Sequence, residues 1–201
     1  LNYALMKSRG IGCSVNKEEA TKYFKKGAEK GHVGSMQNYA YNLIKGEGTP
    51  VNKKEAAFYY KKAADKGNVE SIYNYAFMLF KGDGIQQNKN EALKYYKKAI
   101  DKGVVSAMLN YAIIMYQGDG VPANKKEAAE NFKKAADNGH KISMLYYAVM
   151  CQFGEGIDVN KKEAEKYYKM AIENGITRAM YNYAKMLFDG DGIQQNKKEA
   201  A

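Results

Sequence analysis

The sequence has no tryptophan, two prolines, two cysteines and two histidines in 201 residues. Cys13 and Cys151 stand far apart with no C-x-x-C or Cys/His spacing, which excludes a disulfide framework and a structural zinc site. Two unpaired thiols favour a reducing, cytoplasmic compartment, although localisation is otherwise open. No apolar run approaches the length of a membrane span, and no signal-peptide pattern opens the chain. Leu1 is not an initiator methionine, and the chain starts and stops inside repeats, so the true termini can lie outside it. Scarce proline beside 18 tyrosines, 10 methionines and 45% hydrophobic residues excludes a disordered tail and leaves a helix-rich globular class.

What is present is a repeat. Tyr3-Ala4, Tyr39-Ala40, Tyr75-Ala76, Tyr111-Ala112, Tyr147-Ala148 and Tyr183-Ala184 recur every 36 residues without insertion or deletion. The same register places a G-x-G at Gly10, Gly46, Gly82, Gly118, Gly154 and Gly190, and an N-K-x-E-A string from Asn16, Asn52, Asn88, Asn124, Asn160 and Asn196. Within one period, Met36, Tyr39, Ala40 and Leu43 form the i, i+3, i+4, i+7 stripe of an amphipathic helix that Gly46 ends. Asn52 then caps a second helix, with Glu55 completing something close to a capping box and Ala56, Tyr60, Ala63 and Ala64 as its stripe. Neither helix can bury its stripe alone, so stacking of helix pairs has to supply the core.

These residues resemble the Sel1-like repeat family, a relative of the tetratricopeptide fold, over the whole chain. The most specific element is the loop GEGT, GDGI, GDGV, GEGI or GDGI, followed by the capping Asn and an A-x-x-[YF]-[YF]-x-x-A-[AI]-[DE]-x-G helix. Tyr39-Ala40 stands where Leu-Gly is usual, and Leu43 where Tyr is usual. Cysteine-rich Sel1-like proteins linked with β-lactam binding do not match a chain with two lone cysteines. The resemblance implies an all-α, right-handed superhelical solenoid of period 36. It would form a single array over 1–201: a partial repeat at 1–30, repeats at about 31–66, 67–102, 103–138 and 139–174, and a partial repeat at 175–201. A second periodicity, in which YAFMLFKGDGIQQNKNEA from Tyr75 nearly recurs from Tyr183 and Gly31-His32 matches Gly139-His140, points to duplication of a three-repeat block.

Function has to lie where the repeats differ. With the stripe of the first helix inward, positions such as Asn38, Tyr41 and Lys45 face away from the core, and resemblance to related solenoids puts that face in the concave groove. Asn38, Asn74 and Asn110 recur there, with Tyr146 as the exception, while Tyr41, Phe77, Ile113 and Val149, and Tyr73, Leu109 and Leu145, vary. Phe153 stands where Lys45, Lys81, Gln117 and Asp189 stand in other repeats. The expectation is a groove for a partner polypeptide, with asparagines bonding its main chain and apolar residues anchoring it. The competing reading has the asparagines bonding neighbouring helices.

The net charge of +10 raises the question of nucleic acid or acidic lipid. Lysines recur mid-way along the second helices (Lys25, Lys61, Lys97, Lys133, Lys169) and at their starts, a pattern read as a solvated outer face that limits self-association. His32 and His140 follow a helix-closing glycine and are read as isolated, without a Cys or Ser partner. No unlike residues converge on one pocket, so an enzyme, a cofactor and a metal are not expected. The reading is therefore a protein-binding scaffold, monomeric or weakly self-associating. The alternatives are a nucleic-acid-binding helical-repeat protein, such as a pentatricopeptide array, and a non-catalytic repeat region of a larger enzyme or signalling protein.

Overall fold

The computed structural model describes residues 1–200, with side chains as far as residue 198, and every regular element in that range is a helix. The first helices of the repeats are α1 (Asn2–Arg9), α3 (Val33–Lys45), α5 (Val69–Lys81), α7 (Val105–Gln117), α9 (Lys141–Phe153) and α11 (Thr177–Asp189). The second helices are α2 (Lys17–Glu29), α4 (Lys53–Asp65), α6 (Lys89–Ile100), α8 (Lys125–Asp137), α10 (Lys161–Glu173) and α12 (Lys197–Ala200). They form two compact units, one from Leu1 to Val104 with α1 to α6, the other from Val105 onward with α7 to α12.

Local chemistry sets the helix ends. Asn16, Asn52, Asn88, Asn124 and Asn160 each accept a hydrogen bond from the backbone N–H three residues on, at 2.9 to 3.1 Å. The rest of the motif departs from a capping box. The backbone N–H of Asn52 is already donated to the Leu43 carbonyl of the first helix at 3.0 Å, as those of Asn88 and Asn124 are to Leu79 and Met115. Glu55 instead accepts the Asn52 side-chain amide at 3.1 Å and, on its other oxygen, the Tyr39 hydroxyl at 3.0 Å. Tyr3 donates to Glu19 at 2.8 Å and Tyr111 to Glu127 at 2.6 Å in the same way, so in these three repeats the marker tyrosine latches the first helix to the second, whereas Tyr183 donates to Glu165 of the preceding second helix at 3.1 Å. Burial and this carboxylate raise the Tyr39 phenol far above its ordinary pKa.

The expected stripes are the core. Met36, Tyr39, Ala40 and Leu43 are buried against Ala56, Tyr60, Ala63 and Ala64. Ala40, Ala56 and Ala63 are wholly inaccessible, and their small size lets the helices close on the rings between them. The rings meet edge to face: Tyr39 on Tyr59 at 5.1 Å, Tyr75 on Tyr95 and Tyr147 on Tyr167 both at 4.8 Å. Such pairs add roughly 0.5–1.5 kcal/mol each beyond the area they bury.

Successive repeats are joined through the G-x-G loop. Gly46 takes the left-handed conformation at φ 70° and ends α3. The acid between the glycines pairs with the lysine that starts the preceding second helix: Lys17 with Glu47 at 3.1 Å, Lys53 with Asp83 at 2.8 Å, Lys125 with Glu155 at 3.2 Å and Lys161 with Asp191 at 2.6 Å. Mid-helix Lys133 reaches Glu163 of the next repeat at 3.0 Å, and Lys61 reaches Asp65 of its own helix at 2.8 Å. Most of these lysines are about half exposed, so the face they form is solvated and also carries ion pairs, most of them between repeats. A partner 30 residues away gives no local sequence signal. No helix among the described residues is long and apolar enough to cross a membrane.

Candidate functional site

In the first unit, Tyr41 of α3 and Phe77 of α5 occupy equivalent outward positions and are 44% and 40% exposed, so two aromatic rings recur along one face. Lys45 lies 5.9 Å from the Tyr41 ring. Tyr73 is half-buried, its ring tilted against that of Tyr96 at 6.1 Å. Asn38 and Asn74 are half-buried. The Asn38 amide donates to the Gly34 carbonyl of its own helix at 2.6 Å. Between α3 and α5 the polar links are side-chain ones: Asn68, the cap of α5, donates to Gln37 at 2.8 Å, and Gln37 donates to Glu70.

In the second unit, Leu109, Asn110, Ile113 and Val149 are half-buried and Leu145 is buried. Asn110 is engaged in interactions of its own. Tyr146, which stands where the other repeats carry Asn, lies flat on Phe132 of the preceding second helix at 4.8 Å with 8° between the planes. Asn182, at the matching position of α11, is a hydrogen-bond partner of Tyr168, the residue equivalent to Phe132. In these two repeats an amide meets a phenol and a ring meets a ring, whereas Asn38 follows Phe24 of α2 and bonds its own helix instead.

Phe153 is different. It is 61% exposed and, with Tyr181 at 71%, flanks a cleft of about 320 Å³ between α9 and α11 that Asn182, Lys185 and Asp189 also line. The cleft floor is a fixed polar chain. Tyr168 donates to Gln152 at 2.7 Å, and Gln152 donates to Asp191 at 3.0 Å. The Gln152 amide and then the Lys161 ammonium hold the Asp191 carboxyl below its usual range. Burial pushes the Tyr168 phenol up to about 12. This floor was missed in the sequence, yet it left a signal. Gln152 is buried in a column that reads Ser8 in the partial first repeat and Ile44, Phe80, Tyr116 and Phe188 in the others.

The histidines also need correcting. His32 and His140 have a Ser partner: each is the N-cap of a first helix, its Nδ1 accepting the backbone N–H of Ser35 or Ser143 at 3.3 Å. The serine hydroxyls lie 3.4 and 3.1 Å from the same nitrogens. Asn68 does the same for Ser71 at 2.8 Å, so the histidine and serine form a helix start, with the ring doing what an amide oxygen does in the neighbouring repeat.

The model for the Sel1 repeat matches the chain six times, over residues 1–32, 33–68, 69–104, 105–140, 141–176 and 177–201. Among solved structures, the chain is similar to a protective antigen of uropathogenic Escherichia coli displaying an SLR fold, with a TM-score of 0.94 at 26% identity, over 99% of this chain and 43% of that one. It thus spans less than half of that relative's length. The Sel1 repeat protein from Oxalobacter formigenes gives a TM-score of 0.83 at 26% identity over 99% and 80% of the two chains. Helicobacter pylori cysteine rich protein B gives 0.51 at 24% identity over 66% and 96%, a likeness of fold alone. No match is found among curated proteins.

Proposed function

The chain belongs to the Sel1 repeat family, whose members generally serve as protein-interaction scaffolds, and from that premise we propose that it holds a partner polypeptide on the outward face of its first helices. The observation that carries this reading is the placement of exposed aromatics on that face and on a built cleft. Tyr41 and Phe77 recur in the first unit, and Phe153 and Tyr181 flank the cleft between α9 and α11. Rings of this kind lose little conformational entropy on binding and dominate interface energetics. The polar floor from Tyr168 through Gln152 to Asp191 fixes the depth of the cleft and offers bonding groups beneath an anchored side chain. The asparagines contribute less to a partner, since Asn38 donates to its own helix and Asn182 meets Tyr168.

Peptides selected by display on the intact protein test this reading. Tyr181→Ala combined with Phe153→Ala is expected to weaken the selected peptides by at least about 30-fold, the effect of losing about 2 kcal/mol at a hot spot. Tyr41→Ala with Phe77→Ala makes the same comparison for the first unit. If both double variants bind the peptides as the parent does while keeping its helical circular dichroism, the first-helix face is not the binding face.

A further inference from the structure

The second helices of the first unit carry an outer surface unlike that of the second unit. Taken at four-residue spacing, α4 and its C-cap read Lys54, Phe58, Lys62 and Lys66, and all four are exposed. The matching rows on α2 and α6 carry three exposed lysines each, from Lys22 to Lys30 and from Lys94 to Lys102. None of these nine lysines forms an ion pair among the described residues, whereas the helix-start and mid-helix lysines largely do. The carboxylates nearby are few. Glu18 heads the row on α2, while Glu29, Asp65 and Asp101 lie in the adjoining column, where Lys61 and Tyr95 take up Asp65. On α8 and α10 the same positions are broken by Glu130, two asparagines and Met170. Phe58 stands in the middle of the basic face, 52% exposed, with the Lys62 ammonium 4.4 Å from its ring centre.

We propose that this face of the first unit docks on an anionic lipid bilayer surface, the lysines lying among the headgroups and Phe58 entering the interface between them. A face that only needed hydration would have no use for three lysines in every row of one unit, against two in each row of α8 and α10, or for an exposed phenyl ring at its centre. Lysines close to an anionic surface are each attracted to it, and one apolar insertion beside a polybasic patch supplies the two signals that stable peripheral attachment requires. A nucleic acid strand calls for a different surface. Strand-binding proteins stack successive bases on a series of aromatics, whereas this surface offers only Phe58 and, beside Lys26 on α2, Tyr23 as exposed rings, one on each of two helices.

Flotation of the whole chain with phosphatidylcholine vesicles, with and without about 30% phosphatidylserine, at about 0.1 M and about 0.5 M salt, is the test. Binding is expected only with phosphatidylserine and to fall at the higher salt. The triple variant Lys54→Gln, Lys62→Gln, Lys66→Gln should lower the partition coefficient on the order of 100-fold. Phe58→Ala should lower it roughly tenfold. The matched triple Lys126→Gln, Lys134→Gln, Lys162→Gln in the second unit should change it by less than about threefold. Absence of vesicle binding, equal losses from the two triples, indifference to Phe58→Ala, or tighter binding to polyuridylate RNA than to the vesicles would each overturn the proposal.

Discussion

Gly48 and Gly67 share a positive φ, +66° and +84°, but differ in what surrounds them. A Cβ at Gly67 meets nothing within 4 Å, so Gly67→Ala bears only the left-handed penalty of about 1–2 kcal/mol. A Cβ at Gly48 would lie 2.1 Å from the Lys17 carbonyl oxygen and 2.3 Å from its carbon, atoms of the backbone at the start of α2. That contact cannot be relieved by turning a side chain, and Gly84 approaches Lys53 and Gly156 approaches Lys125 in the same way. Gly48→Ala must therefore push one repeat off its neighbour, and its expected cost is about 3–5 kcal/mol. Urea denaturation of the two variants checks the difference, and similar losses would show that the loop relaxes away from α2. The sequence marks both glycines as turn residues with equal force. The close approach that separates them is legible only once two repeats are stacked.

A helix needs an acceptor at its N-cap, and α9 uses the imidazole of His140, which can be an acceptor only while Nδ1 is unprotonated. Burial holds the His140 pKa below its ordinary value. The unfolded chain therefore takes up a proton first as pH falls. The stabilisation is complete above the unfolded value of about 6.5 and is lost as pH drops through the lower folded value. His140→Asn copies the cap that Asn68 gives α5 and is expected to remove this pH dependence, leaving stability at pH 5 about 1 kcal/mol above the parent. Thermal unfolding of both proteins from pH 8 to 5 measures it, and parallel curves would show that the ring does not cap. At this scale the sequence was most readable. The period, the capping Asn, the closing glycine and the inward stripe are written within a few residues of where they act, and the helices follow them. What acts across repeats was not readable: the Lys17 to Glu47 bridge, the second use of Glu55 by Tyr39, and the floor of the cleft under Phe153. The outward aromatics were legible as variable positions. That Leu145 is buried while Tyr181, at the same repeat position, is 71% exposed depends on packing that the i, i+3, i+4, i+7 stripe does not encode.

For the molecule as a whole, salt acts on two opposed terms. It weakens the bridges between repeats, and it screens the repulsion among charges of one sign. The bridges are half-exposed pairs such as Lys17 with Glu47 and Lys53 with Asp83, whose side chains are 33 to 50% and 32 to 48% accessible. Pairs of that kind contribute about 0–1 kcal/mol each, and they spend carboxylates that are in short supply. With 32 Lys and Arg against 22 Asp and Glu, ten cations stay uncompensated even if every acid is paired, and the nine unpaired lysines of α2, α4 and α6 concentrate part of that excess on one face. Repulsion within a compact, strongly cationic chain is relieved by unfolding, so screening favours the folded state. The repulsive term outweighs the bridges here, and the melting temperature is expected to rise between about 0.01 M and about 0.2 M sodium chloride, where the Debye length falls below the spacing of neighbouring repeats. Lys54→Gln with Lys62→Gln and Lys66→Gln should reproduce part of that rise at low salt, because it removes positive charge without breaking a bridge. Calorimetry across the salt series decides the matter: a melting temperature that falls as salt is added would place the inter-repeat ion pairs, rather than the surplus of lysine, in control of stability.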